Sequence, residues 1–316
     1  LPVRPKIQIW AVEFDGGEPN LLGEGGDNPV IAPSSDRVVF ESGRHIWTVP
    51  IDGSKPAAPL FFARGNNSDA QFSPDGSRVA FVSHRGDHAF IGIYTDAETP
   101  IAWLAPTTNR DGSPRWSPDG ARVAFVRRPG SGGAPQPALE RRHQPWSIWT
   151  ADASTGAARE IWRAPETLRG SHPSSQSGTN LHYAAGGRVA FLSYQDGQPH
   201  LYSVEDSTAG TEAPGLAERA LLLTPGDYMA EYISLSPDRR HLIFTGNAGE
   251  TRGDVDRRHI VRVPVDAAAP EVLTAGTGIE WTPTDDFLAF LKYSRGYKAG
   301  AIRLGSFGAD PEVDPE

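Results

Sequence analysis

The chain has 316 residues, 38% hydrophobic and 22% charged, long enough to bury a sizeable core as one large domain or two ordinary ones. Its net charge of −9 argues against a general nucleic-acid binder, and the absence of cysteine excludes disulfides and thiolate metal sites while leaving the compartment open. The 34 glycines and 28 prolines follow no collagen period, so they signal many turns and many short strands. No apolar run approaches the roughly 20 residues that span a bilayer. The chain starts on Leu, as a processed or excised piece would, and export to the periplasm behind a removed signal peptide stays open.

At the N-terminus, Ile7-Gln-Ile-Trp-Ala-Val and Pro19-Asn-Leu-Leu read as the third and fourth strands of a unit whose first two strands are absent. A repeated phrase then begins. A turn is followed by an apolar strand carrying Phe at one place: Phe40, Phe81, Phe125, Phe191, Phe244 and Phe290, with spacings of 41, 44, 66, 53 and 46. The turn is Ser-Pro-Asp-Gly at 73–76 and 117–120, with relatives at 32–36, 236–239 and 282–285 and a degenerate Ala-Ala-Gly-Gly at 184–187. Pro pre-sets φ at the first corner, Asp bonds locally, and Gly accepts φ > 0. Both faces of the following strand are apolar, so it is expected to be covered on both sides.

A third strand follows at His45–Pro50, Phe90–Tyr94, Ser147–Ala151, His200–Val204 and His259–Pro264. A short fourth follows at Leu60–Phe62, Ala102–Leu104, Glu160–Trp162, Leu221–Leu223 and Glu271–Leu273. Four strands per unit of about 40–50 residues predict an all-β fold, a β-propeller of four-stranded antiparallel blades. Seven blades are expected, with six or eight as alternatives. The terminal blades are incomplete: the last unit offers Gly278–Trp281, Phe287–Lys292 and a third strand at Ala301–Leu304. One propeller domain is expected over 1–309, and an acidic tail or linker over 310–316. Residues 127–145 read as an insertion loop, 164–180 as a polar stretch, and 205–219 as a solvated hairpin tip.

Reaction motifs are sparse. No serine has Gly at both −2 and +2, as a nucleophile elbow requires. No His-Glu-x-x-His is present; His84 and His88 fall in a hairpin, where helical spacing has no meaning. Asp254, Asp256 and His259 could meet a cation, but Asp and His are also ordinary turn and strand-start residues. No phosphate-cradling glycine loop occurs, and no cofactor is expected. The tryptophans fall mostly on strands and are expected between blades. Arg127, Arg128, Arg141, Arg142 and His143 gather positive charge on one insertion of an acidic chain, as a loop meeting an acidic partner or a substrate carboxylate would.

The Ser-Pro-Asp-Gly and Arg-Val-Ala-Phe phrases resemble TolB-type, WD-like propeller repeats. A longer ordered series extends this: Arg110 to Gly120, Arg127 to Gly130, Pro145-Trp-Ser-Ile-Trp, Thr167 to Ser171, Asn180-Leu-His-Tyr, Pro199 to Val204, Leu235 to Asp238 and Gly253 to His259. The series resembles the N-terminal propeller of bacterial prolyl oligopeptidase-family serine peptidases, on the dipeptidyl peptidase IV and acylaminoacyl peptidase-like branch. The resemblance implies a non-catalytic domain that docks on a C-terminal α/β-hydrolase domain and gates peptide substrates. That family's triad has no counterpart here, so no catalytic residue carries over. Its paired substrate-binding glutamates have no clear match either; Glu140 stands alone. The candidate substrate or partner contacts are Arg128, Glu140, Arg141, Arg142, Trp146, Asp254, Asp256, Arg257 and Arg258. The alternatives are a free-standing TolB-like interaction propeller and, more weakly, a metal-dependent propeller lyase.

Overall fold

The computed structural model describes residues 7–13, 16–133, 141–173, 178–206, 219–247, 258–273, 279–284 and 287–291; for the last two segments the backbone alone is described. The chain divides into two compact units, Leu1–Leu273 and Thr274–Glu316.

The first unit opens with a two-stranded sheet of β1 (Gln8–Ala11) and β2 (Asn20–Glu24). Five four-stranded antiparallel blades follow. Blade 1 holds β3 (Asp27–Ile31), β4 (Arg37–Ser42), β5 (His45–Pro50) and β6 (Ala58–Pro59). Blade 2 holds β7 (Asn66–Phe72), β8 (Val79–His84), β9 (Ala89–Tyr94) and β10 (Ala102–Leu104). Blade 3 holds β11 (Arg110–Trp116), β12 (Arg122–Arg128), β13 (Ser147–Asp152) and β14 (Ala158–Arg163). Blade 4 holds β15 (His182–Tyr183), β16 (Arg188–Ser193), β17 (His200–Glu205) and β18 (Leu221–Leu222). Blade 5 holds β19 (Ala230–Leu235), β20 (His241–Gly246), β21 (His259–Pro264) and β22 (Glu271–Val272). A parallel bridge between Arg110 and Ala89 joins blades 2 and 3. The second unit contains the hairpin β23 (Ile279–Thr284) and β24 (Phe287–Leu291). The third strand expected at 301–304 and the tail at 310–316 lie outside the described residues.

Strand parity explains the core. In β8, Val79 and Phe81 pack with Val39 and Ile46 of blade 1, while Ala80 and Val82 pack with Val123 and Phe125 of blade 3. The same division holds in β12 and β16: Phe125 and Phe191 face the preceding blade, and Ala124 and Ala190 face the following one. Phe125, Phe191 and Phe244 therefore enter the space left by Ala80, Ala124 and Ala190 of the blade before. Gly92 extends this packing on β9. A Cβ there would lie 2.6 Å from Phe81 Cζ and 3.0 Å from the Trp103 ring. Gly92→Ala is expected to cost about 1–3 kcal/mol by overpacking. The urea midpoint checks it, against Gly133→Ala, where no atom lies within 4 Å of the added carbon.

The turns hold themselves and their neighbours. Ser73 Oγ donates to Asp75 at 2.5 Å, Gly76 N closes the turn on Ser73 O at 2.8 Å, and Gly76 takes φ +71. Ser117 with Asp119 and Ser236 with Asp238 repeat the contact at 2.6 and 2.5 Å. The hydroxyls of Ser73 and then Ser77 hold the Asp75 carboxyl down at about 2. In blades 1 and 2 the arginine at the start of the second strand reaches the next blade: Arg37 Nη2 donates to Gly76 O at 3.1 Å and Arg78 Nη2 to Gly120 O at 2.7 Å. Their guanidinium groups lie over Phe72 and Trp116 at 5.5 and 4.8 Å.

Three expectations are corrected. The fourth strand of blade 1 is Ala58–Pro59; beyond it Leu60 N still bonds Ile46 O, Phe61 is buried and Phe62 is exposed. Strand β12 runs through Arg127 and Arg128, so the insertion begins after them. Arg127 is buried in a bidentate pair with Asp111, both contacts 2.7 Å, and is no part of a solvated loop. Finally, Asp206 is buried, because it accepts from Thr150, Tyr183, Arg122 and Arg159 where a hairpin tip was expected.

Candidate functional site

The first strands of successive blades are neighbours, and each carries one feature that the turn motifs do not announce. Asn28, Asp69, Ser113 and Tyr232 adopt φ of +49 to +56 and sit at a register shift in β3, β7, β11 and β19. Each lies twelve residues before its unit's phenylalanine (28 and 40, 69 and 81, 113 and 125, 232 and 244); Asn180, φ +45, precedes Phe191 by eleven. Asn, Asp and Ser tolerate this left-handed conformation; a tyrosine in it is strained. These bulges interrupt the ladder and re-aim the side chains they carry.

Hydrogen bonds connect the bulges from blade to blade. Glu41 Oε1 accepts from Asn28 Nδ2 at 3.1 Å and from Asp69 N at 2.8 Å. Asp69 Oδ1 meets Arg115 Nη1 at 3.4 Å, and Arg115 Nε donates to Leu181 O at 3.0 Å. The bulges of blades 3 and 5 and the left-handed Asn180 of blade 4 border a cleft of about 330 Å³, whose wall includes Ser113, Arg115, Arg128, His172, Asn180 and Tyr232. Among the described residues, no Asp or Glu lines it.

The cleft is cationic. Arg128 is half-buried at the end of β12, and among the described residues it has no hydrogen-bond or ion-pair partner. Arg110 stands opposite it in the β11–β12 register. Burial and then Arg110 push the Arg128 guanidinium down from its ordinary range. Burial, then Arg128 and Arg110, push His172 down to about 4, so its ring is neutral at pH 7. His182, next to the cleft residue Leu181, is pushed down to about 4 by burial and then Arg115.

Of the described residues singled out from sequence, Arg128 alone lines the cleft. Arg141 and Arg142 are exposed. Trp146 is 2% exposed, packs against Trp162 and Phe191, and donates Nε1–H to Gly170 O at 3.1 Å, a place in the core between blades 3 and 4. Arg258 pairs with Glu231 at 2.8 Å. Glu140, Asp254, Asp256 and Arg257 lie outside the described residues. Sequence reasoning missed Ser113, Asn180 and Tyr232, whose signal was a spacing of twelve, eleven and twelve residues to the repeat phenylalanine. Among the described residues, no three His, Asp or Glu side chains converge as metal ligands.

No protein-family model matches the sequence, and no curated protein sequence matches it either. Solved structures do. A TolB-like protein from Agrobacterium tumefaciens aligns with TM-score 0.51 at 14% identity, over 81% of this chain and 84% of that one. Oligogalacturonate lyase from Vibrio parahaemolyticus aligns with TM-score 0.60 at 10% identity, over 85% and 72%. The chain is a β-propeller. A puromycin-hydrolyzing peptidase of Mycobacterium tuberculosis aligns with TM-score 0.56 at 14% identity, over 86% of the propeller but 44% of the peptidase. At these identities the likeness concerns the fold, which hosts unrelated functions.

Proposed function

We propose that this propeller is the non-catalytic part of a serine peptidase, gating peptides to an α/β-hydrolase domain on which it docks. The observation that carries the reading is the cleft between blades 3, 4 and 5: it offers an open arginine, amide and hydroxyl groups and an exposed tyrosine, a set suited to holding a peptide. A space of about 330 Å³ takes a few residues of extended chain and excludes a folded domain. The ordered motif series from Arg110 to His259 and the likeness to the propeller part of a larger peptidase support the same reading.

The purified chain is then expected not to hydrolyse peptide p-nitroanilides, and the reading frame to continue past Glu316 into a Gly-x-Ser-x-Gly segment. Hydrolysis that a serine-directed inhibitor leaves untouched, or a frame that closes with no hydrolase partner, overturns the proposal. A second reading, a free-standing interaction propeller, is favoured by the 84% of the TolB-like structure that this chain spans. A closed frame would select it.

A further inference from the structure

We propose that the cleft between blades 3, 4 and 5 is a carboxylate-binding site, with the Arg128 guanidinium as its recognition group. The inference goes beyond the peptidase reading, since a propeller with no hydrolase partner would carry the site equally.

The first argument is the contrast among arginines. Arg115, Arg122, Arg127, Arg159 and Arg188 each pair with a carboxylate. Arg128 does not, although it is half-buried, where an uncompensated charge is costly. Its cross-strand neighbour makes this worse. Arg110 and Arg128 face each other directly across β11 and β12, and like charges in that position destabilise a sheet. In the next register position of the same strands, Asp111 answers Arg127. The fold therefore compensates one arginine of this pair of strands and leaves the other facing a cavity.

The second argument is the cavity itself. Among the described residues its wall holds Arg115 and Arg128 and no acid, in a chain that carries a net charge of −9. An anion is the ligand that relieves both the burial and the repulsion, and a carboxylate matches the planar fork of a guanidinium. The third argument is Tyr232. It is 77% exposed at the rim and held at φ +52. A bulky residue kept in that strained conformation, with its ring turned to solvent, offers an apolar face beside the charge. Ser113, on the bulge of blade 3, and Asn180, just before β15, supply hydroxyl and amide groups. The expected ligand is small, with a carboxylate at one end and a hydroxylated or apolar body. A peptide C-terminus and a hexuronic acid both fit.

The test is calorimetric titration of the chain with two matched pairs: acetyl-dialanine against its amide, and D-galacturonate against D-galactose. At least one acid is expected to bind at least tenfold more tightly than its neutral partner. Arg128→Gln is expected to remove that preference, Arg128→Lys to keep part of it, and Arg141→Gln, on an exposed residue of the insertion that follows β12, to leave it whole. Binding of the peptide acid alone assigns a peptide terminus; binding of galacturonate alone assigns an acidic sugar. Equal binding of acid and neutral partner, no binding of either acid up to millimolar concentration, or an unchanged preference in a folded Arg128→Gln protein overturns the site.

Discussion

Asp206→Asn is expected to lower the free energy of unfolding by about 3–5 kcal/mol. The side chain of Asp206 has no exposed surface and accepts from four donors of blades 3 and 4: Arg122 Nη1 and Thr150 Oγ1 at 2.8 and 2.9 Å, and the closer Arg159 and Tyr183. Burial and then Asp206 push the Tyr183 phenol up, so it remains a donor. The position explains the size of the effect. Asp206 N bonds Gly187 O, as Ile51 N bonds Asp36 O, Ala153 N bonds Ala121 O and Val265 N bonds Arg240 O. Blades 1, 3 and 5 thus place an apolar residue where blade 4 places a carboxylate, and the equivalent Asp96 of blade 2 is exposed. Blade 4 is also the one whose turn is Ala-Ala-Gly-Gly, a 3₁₀ turn over Ala185–Gly187. Arg37 and Arg78 clasp the turn of the next blade, whereas Arg122 reaches Asp206. Asparagine keeps the shape and removes the charge, leaving two guanidinium groups without a counter-charge. Glu205→Gln is the control: its pair with Arg188 is 2.9 Å long but Glu205 is 66% exposed, so a change within about 0.5 kcal/mol is expected. Equal urea midpoints for the two variants would show that Asp206 holds no blades together. A cycle with Arg122→Ala then isolates the coupling.

Much of this fold was legible because turn and strand carry the same message in each unit. Pro, Asp and Gly fix the corner, and Val-Ala-Phe fixes two buried faces of unequal size. The site was less legible, for reasons particular to its residues. Arg127 and Arg128 look alike in sequence, yet adjacent strand positions face opposite ways. Continuing the parity of Phe125 places Arg127 over the Phe125 and Trp149 rings at 5.3 and 4.5 Å and leaves Arg128 on the side of Val126. That deduction needed β12 to run to residue 128, and the glycines and prolines that follow suggested an earlier end. The bulges were hidden differently. Asn28, Asp69, Ser113 and Asn180 are conformationally apt but chemically varied, and Tyr232 breaks the preference altogether. Asp206 sat at the start of a charged, small-residue tract that reads as solvent-facing; its donors come from residues 23 to 84 positions away.

Between pH 6.5 and 4 the propeller is expected to lose stability through two histidines. His172 and His182 are each pushed from 6.5 down to about 4, mainly by burial, with Arg128 and Arg110 acting on the first and Arg115 on the second. A group whose pKa is depressed by folding takes up its proton first in the unfolded chain. The stability of the neutral rings is therefore fully present above pH 6.5 and drains away as the pH falls toward 4. Each ring contributes about 3 kcal/mol over that window. The turn aspartates do not blur the result. Asp75 is held at about 2 against an ordinary 3.8, so its contribution persists until the pH falls below 3.8. His172→Gln together with His182→Phe is expected to flatten the curve of unfolding free energy against pH between 6.5 and 4 and leave the fall below 3.8 intact. A curve that keeps its full slope in the double variant would place the acid sensitivity elsewhere. The same charges tie this titration to the cleft. A carboxylate beside Arg128 offsets the field that holds His172 neutral, so the acid ligands are expected to raise the pH at which His172 titrates, measured by NMR, while their neutral partners leave it unchanged.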